Sequence, residues 1–182
     1  MKRVTIGGIG NVLMGDDGVG PYFARYVDSK YEFESGVQVV DFGTPGLDFV
    51  VHIAGLDALI VVDAVDNQTP AGTVTVYRKD SILASPVPMR LDPHQPALKE
   101  SLLIADLDGP GPKDVILIGI SGEKYGFNNN LTDTVRNAVD DAVQVLLLEL
   151  EKLGVKYSKK NTAEASSVWW EDQAKQVVAG IR

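Results

Sequence analysis

The run LIVV at 59–62, inside DALIVVDAV (57–65), is apolar at every position. A strand with one wet face alternates apolar and polar residues, so an unbroken apolar run rich in β-branched side chains needs cover on both faces. DVILIGIS (114–121) makes the same demand a second time. Two such strands require a sheet sandwiched between helices, and the rest of the chain supplies the pieces. RVTIGGIG (3–10) and VQVVDFG (37–43) read as further strands, while GTVTVYRK (72–79) alternates enough to place it at or near a sheet edge.

Helical patterns fall between the strands. One runs through Val19, Phe23, Tyr26 and Val27; a short one follows Thr44 and Pro45; a third starts at about Ala97, with Leu98, Leu102 and Leu103 at helical spacing. The strongest covers 132–154, where Val135, Val139, Ala142, Val143, Leu146, Leu147 and Leu150 form one stripe. Thr132 or Asp133 caps its start and Gly154 stops it. Strands alternating with helices predict an α/β fold: a single domain with a twisted, mostly parallel sheet of about five strands and helices on both faces. We place that domain at 1–154 and a C-terminal tail at 155–182, in which a polar linker precedes a short helix over 168–181. Trp169, Trp170, Val177, Val178 and Ile181 give that helix an apolar surface that needs cover.

Composition narrows the chemistry. A net charge of −8 argues against nucleic acid as a partner, because phosphate binding needs a basic face. No apolar run approaches the ~18 residues of a membrane span, and Met1 to Arg3 lead straight into a strand pattern with no leader-like apolar stretch, so a cytoplasmic location is expected. With no cysteine there are no disulfides, thiolate metal sites or cysteine nucleophile; with two histidines, His52 and His94, there is no three-histidine site. Any metal would be held by oxygen and imidazole.

In a parallel sheet, ligands gather beyond the carboxyl ends of the strands. Carboxylates cluster at three such ends: Asp16 and Asp17 after the first strand, Asp41 after the second, and Asp63 with Asp66 after LIVV. The first loop, GIGNVLMGDDGVG (8–20), begins like a dinucleotide-binding turn, but Leu13 stands where the third glycine belongs. Asp16 and Asp17 also lie near the helix N-terminus, where a pyrophosphate would need positive potential. A cation suits this loop better. Adjacent carboxylates rarely share one role, so Asp16 is assigned to capping or support and Asp17 to ligation. Asp63 closes an apolar run, where a carboxylate needs a donor, a proton or a metal, or caps the next turn. His94 sits in the proline-flanked loop DPHQP, whereas His52 lies in a helical setting without acidic neighbours in the pattern. Two carboxylates and one imidazole suit nickel, zinc, manganese or iron, with positions left open.

Taken in order, GxGNxLMGDDGxGP, DFGTPG, LIVVDAVD, PHQ and GFNNNLTDTV resemble the hydrogenase maturation endopeptidases, over roughly residues 3–153. The resemblance implies a nickel-recognition site at Asp17, Asp63 and His94, with Asp41 a further carboxylate near the cleft. It implies removal of a C-terminal extension from the large subunit of a nickel-iron hydrogenase after nickel loading. Nickel then arrives with the precursor, the expected partner, another divalent metal being the alternative. Asp17, Asp41, Asp63 and His94 are the candidate catalytic residues. Neither Gly-x-Ser-x-Gly nor HExxH occurs, so serine and zincin mechanisms have no motif. Two rival readings are a module that recognises a nickel site without cutting, and a nucleotide-binding domain, which the acidic loop disfavours. Pattern alone leaves the oligomeric state open.

Overall fold

The structure is a computed structural model and describes residues 1–46, 48–84, 98–128 and 130–161. The chain runs β1 (Val4–Ile9), a 3-10 turn (Asp16–Gly18), α1 (Val19–Lys30), β2 (Tyr31–Phe33), β3 (Val37–Gly43), α2 (Phe49–Ile53), β4 (Ala58–Val65), β5 (Val74–Arg78), α3 (Lys79–Ala84), α4 (Leu98–Asp108), β6 (Asp114–Ser121), α5 (Asp133–Lys152) and β7 (Tyr157–Lys159). Five strands form one sheet in the order β3-β1-β4-β6-β5. The first four are parallel and β5 is antiparallel to β6 at the edge.

The LIVV segment lies in β4, whose eight residues are all buried, and β6 pairs with it from Ala58↔Asp114 to Val65↔Ser121. Alternation sends Ile60, Val62 and Ala64 to one face, into a core with Phe23 and Val27 of α1 and Val139, Val143 and Leu146 of α5. Leu59 and Val61 go to the other face, against Phe49 and Ile53 of α2, Ile82 of α3 and Leu102 of α4. Each large side chain removed from water in these cores contributes roughly 1.5–3 kcal/mol, so the double-sided burial is what holds the central strands.

Thr132 caps α5 by accepting from the Val135 N–H through its hydroxyl. Gly154 ends the helix in the left-handed region (φ 70°), its N–H donating to the Glu151 carbonyl and that of Val155 to Leu150. This is the paired arrangement a glycine C-terminal cap uses to satisfy the last carbonyls. Just after Gly154, Val155 is buried, and Tyr157–Lys159 pair antiparallel with β2. The helix expected over 168–181, and Trp169 and Trp170 with it, lie outside the described residues. The short helix after β3 begins at Phe49, later than Thr44 and Pro45 suggest. Among the described residues no helix is long and apolar enough to cross a membrane.

Candidate active site

The first loop reaches the sheet edge because the end of β1 and the start of α1 are in backbone contact. A Cβ on Gly8 would lie 2.0 Å from the Gly20 carbonyl oxygen, and one on Gly20 would lie 2.0 Å from that of Ile9 and 2.5 Å from that of Val62. Glycine at both positions lets the helix start press onto β1 and β4, leaving the intervening residues to arch over the carboxyl ends of these strands.

Within that arch the two adjacent carboxylates divide their work. Asp16 is fully buried. Its Oδ2 accepts from the N–H groups of Glu123 and Lys124, both at 2.8 Å, and from the Thr132 hydroxyl at 3.1 Å; its Oδ1 accepts from the Thr132 N–H at 2.7 Å. It therefore does not cap α1, whose preceding residue Gly18 makes no side-chain cap. It instead ties the arch to the turn before α5. The same segment is stitched again by Gly15 donating to the Asn128 carbonyl and Asn128 donating to that of Leu13. Asp17, left half-buried, accepts from the Asn11 N–H through Oδ2 at 3.1 Å.

Asp63 is 5% exposed. By alternation it follows Leu59 and Val61 toward the face that carries α2 and α4. Its Oδ1 accepts from the Ala64 N–H at 2.7 Å. Burial, then the nearby charge of Asp17, push its pKa well above the ordinary carboxylate value, and the Ala64 bond only partly opposes them. A carboxylate removed from water beside a second carboxylate is a poor structural element and a good cation ligand. The chemistry of this donor pair fits a divalent metal.

Asp41 is on the opposite face. It follows Val37 and Val39 toward α1 and shares a register level with Gly8 of β1. Its Oδ1 accepts from the Gly43 N–H at 3.0 Å, and its Oδ2 lies 3.5 Å from Arg25 Nε of α1. Between them and the first loop lies an open groove of about 230 Å³, lined by Gly10, Asn11, Arg25, Asp41, Gly43 and Thr44 among others. Arg25 was not singled out by its local pattern, since only the crossing of α1 over the end of β3 brings it here. His94 lies outside the described residues, and so does the loop that carries it. Among the described residues no three His, Asp, Glu or Cys side chains form a metal-holding group. His52 is exposed, 6.0 Å ring to ring from Phe42, and stands on α2 as a surface residue.

The chain is 34% identical over 154 residues to the hydrogenase expression/formation protein HoxM of Azotobacter vinelandii, covering 84% of this chain and 74% of that one. It is 29% identical to the hydrogenase 2 maturation protease of Escherichia coli, over 84% of this chain and 93% of that one. Its fold superposes on the hydrogenase-maturating endopeptidase HybD from E. coli with a TM-score of 0.79 at 27% identity, covering 87% of this chain and 98% of that chain. The profile described as hydrogenase maturation protease matches residues 21–149, most of the α/β body, and the chain belongs to that family.

Proposed function

We propose that this protein removes the C-terminal extension of a nickel-iron hydrogenase large-subunit precursor, in the cytoplasm, once nickel has been inserted. Membership of the family makes the chain an endopeptidase. The observation that carries the finer reading is Asp63: 5% exposed, bonded through one oxygen to the Ala64 N–H, and set beside the like charge of Asp17. In this reading nickel comes with the substrate, and Asp17, Asp63 and His94 offer it additional ligands.

Hydrolysis then follows one of two routes. Nickel brought by the substrate and met by Asp17, Asp63 and His94 would supply Lewis acidity at the scissile carbonyl and the attacking water, or would position the peptide while Asp17 or Asp41 takes a proton from the attacking water. In either case water adds to the carbonyl carbon, the C–N bond breaks and the departing amine takes up a proton. Because the chain has no cysteine to tighten the site, its own hold on free nickel should be modest. The test is to present precursor with and without nickel: the extension is expected to be lost only from the loaded form. Equal cleavage of rigorously nickel-depleted precursor would overturn the recognition role of the metal.

A further inference from the structure

The groove between the first loop and the end of β3 has a composition that the nickel site does not account for. A Cβ on Gly43 would meet no atom within 4 Å, so a main chain can approach closely at that wall. Asn11 spends its side-chain oxygen on the Leu13 N–H at 3.0 Å, which leaves its amide protons for another acceptor. Arg25 brings a guanidinium to a mouth otherwise supplied with carboxylates, its side chain 54% exposed and only loosely engaged, with Nε 3.5 Å from Asp41 Oδ2. Gly43 N–H already holds Asp41 Oδ1, so that carboxylate keeps its place without Arg25. The groove thus presents both donors and an acceptor, the groups that an extended peptide main chain satisfies.

Its position ties it to the chemistry. Asn11 contributes to the groove and also donates its backbone N–H to Asp17. β3 and β4 flank β1, so Asp41 and Asp63 stand on strands either side of the one that feeds the first loop, Asp41 on the α1 face and Asp63 on the α2 face. β3 is also the end strand of the sheet.

We infer that this groove binds the substrate segment adjoining the scissile bond in extended form, with Arg25 taking a carbonyl or carboxylate oxygen of that segment. The inference rests on the endopeptidase reading and adds a subsite to it. The structural role of Arg25 is small, because its side chain is half exposed and its ion pair with Asp41 is long.

The test is steady-state cleavage of a nickel-loaded large-subunit precursor by the wild type, Arg25→Ala and Arg25→Lys, together with the affinity of each for the precursor and a thermal melt. Arg25→Ala should raise KM roughly 10- to 100-fold, the worth of a charge-assisted hydrogen bond, with the loss falling on KM more than on kcat. Precursor affinity should fall in parallel, and the melting temperature should not move. Arg25→Lys should recover part of the affinity. Unchanged KM and affinity in Arg25→Ala would overturn the subsite, as would a loss confined to kcat, which would mean that Arg25 only orients Asp41. A wild type that binds the loaded precursor but does not cut it would sink the cleavage reading instead, and the affinity measurement would still judge the groove.

Discussion

Asp16 and Thr132, 116 positions apart in the chain, are joined twice: the Thr132 N–H donates to Oδ1 at 2.7 Å and its hydroxyl to Oδ2 at 3.1 Å. The same Thr132 hydroxyl caps α5. One buried carboxylate therefore links the first loop to the start of α5, and holds the adjacent Asp17 at the strand ends.

Asp16→Asn tests that link with almost no change in shape. The amide replaces one oxygen with an NH2 group, and in either orientation this faces at least one backbone N–H now bonded to Asp16. We expect a loss of about 1–3 kcal/mol in urea or thermal unfolding, the range for leaving a buried donor unpaired. A loss below ~1 kcal/mol would mean that the network is not structural.

Asp63→Asn should act in the opposite direction on stability. Asp63 in the folded protein holds its proton above the ordinary value of 3.8, so the folded state binds more protons than the unfolded state as pH rises past that value, and stability falls until Asp63 ionises. The neutral asparagine keeps an oxygen for the Ala64 N–H and removes the penalty. The metal-free variant should melt higher than the wild type at neutral pH, the two curves converging below about pH 4, and cleavage should be lost. A variant less stable than the wild type at neutral pH would contradict the buried-carboxylate account.

Arg78 and Glu149 join β5 to α5 through two bonds of 2.7 and 2.8 Å, with Lys152 adding a third at 2.9 Å. Burial disfavours the Glu149 charge, but Arg78 and Lys152 outweigh it and hold the group below its ordinary value of 4.5. Its contribution is therefore present above that value and lost as pH falls through the depressed one. Arg78→Ala leaves the carboxylate 4% exposed with Lys152 alone and should cost about 2 kcal/mol, less than for a fully buried pair because the Arg78 side chain is 47% exposed. Denaturant titration of Arg78→Ala, Glu149→Gln and the double variant should show non-additivity; strictly additive losses would refute the pairing.

Gly20→Ala should be among the most damaging single-methyl additions in the protein. The new carbon would meet two backbone oxygens, at 2.0 and 2.5 Å, and neither can rotate away as a side chain could. Overpacking of this kind typically costs about 1–3 kcal/mol or more, and here it would also lift the first loop off the sheet. Circular dichroism melts and precursor cleavage should both suffer, and a fully stable, active variant would rule out the close approach.

The sheet was legible because LIVV and VILIGI leave no alternative to two-sided burial, and α5 was legible because stripe, cap and stop agree at Thr132 and Gly154. The β2–β7 ribbon was not: YEF and YSK are three residues each, too short for a period, and their pairing depends on where α5 ends. At the site, the supporting role of Asp16 was open to inference from its adjacency to Asp17. The partners of Asp16 at 123, 124 and 132 and the placement of Arg25 beside Asp41 arise only from tertiary crossings, which no local pattern encodes.

The most direct check of the central claim is the intact mass of a nickel-loaded large-subunit precursor after incubation with the wild type and with Asp63→Asn. The account predicts that the wild type lowers the mass by one discrete C-terminal fragment while the Asp63→Asn sample keeps its full mass. Full mass retained with folded wild type and nickel-loaded precursor, or the same fragment released by Asp63→Asn, would contradict it.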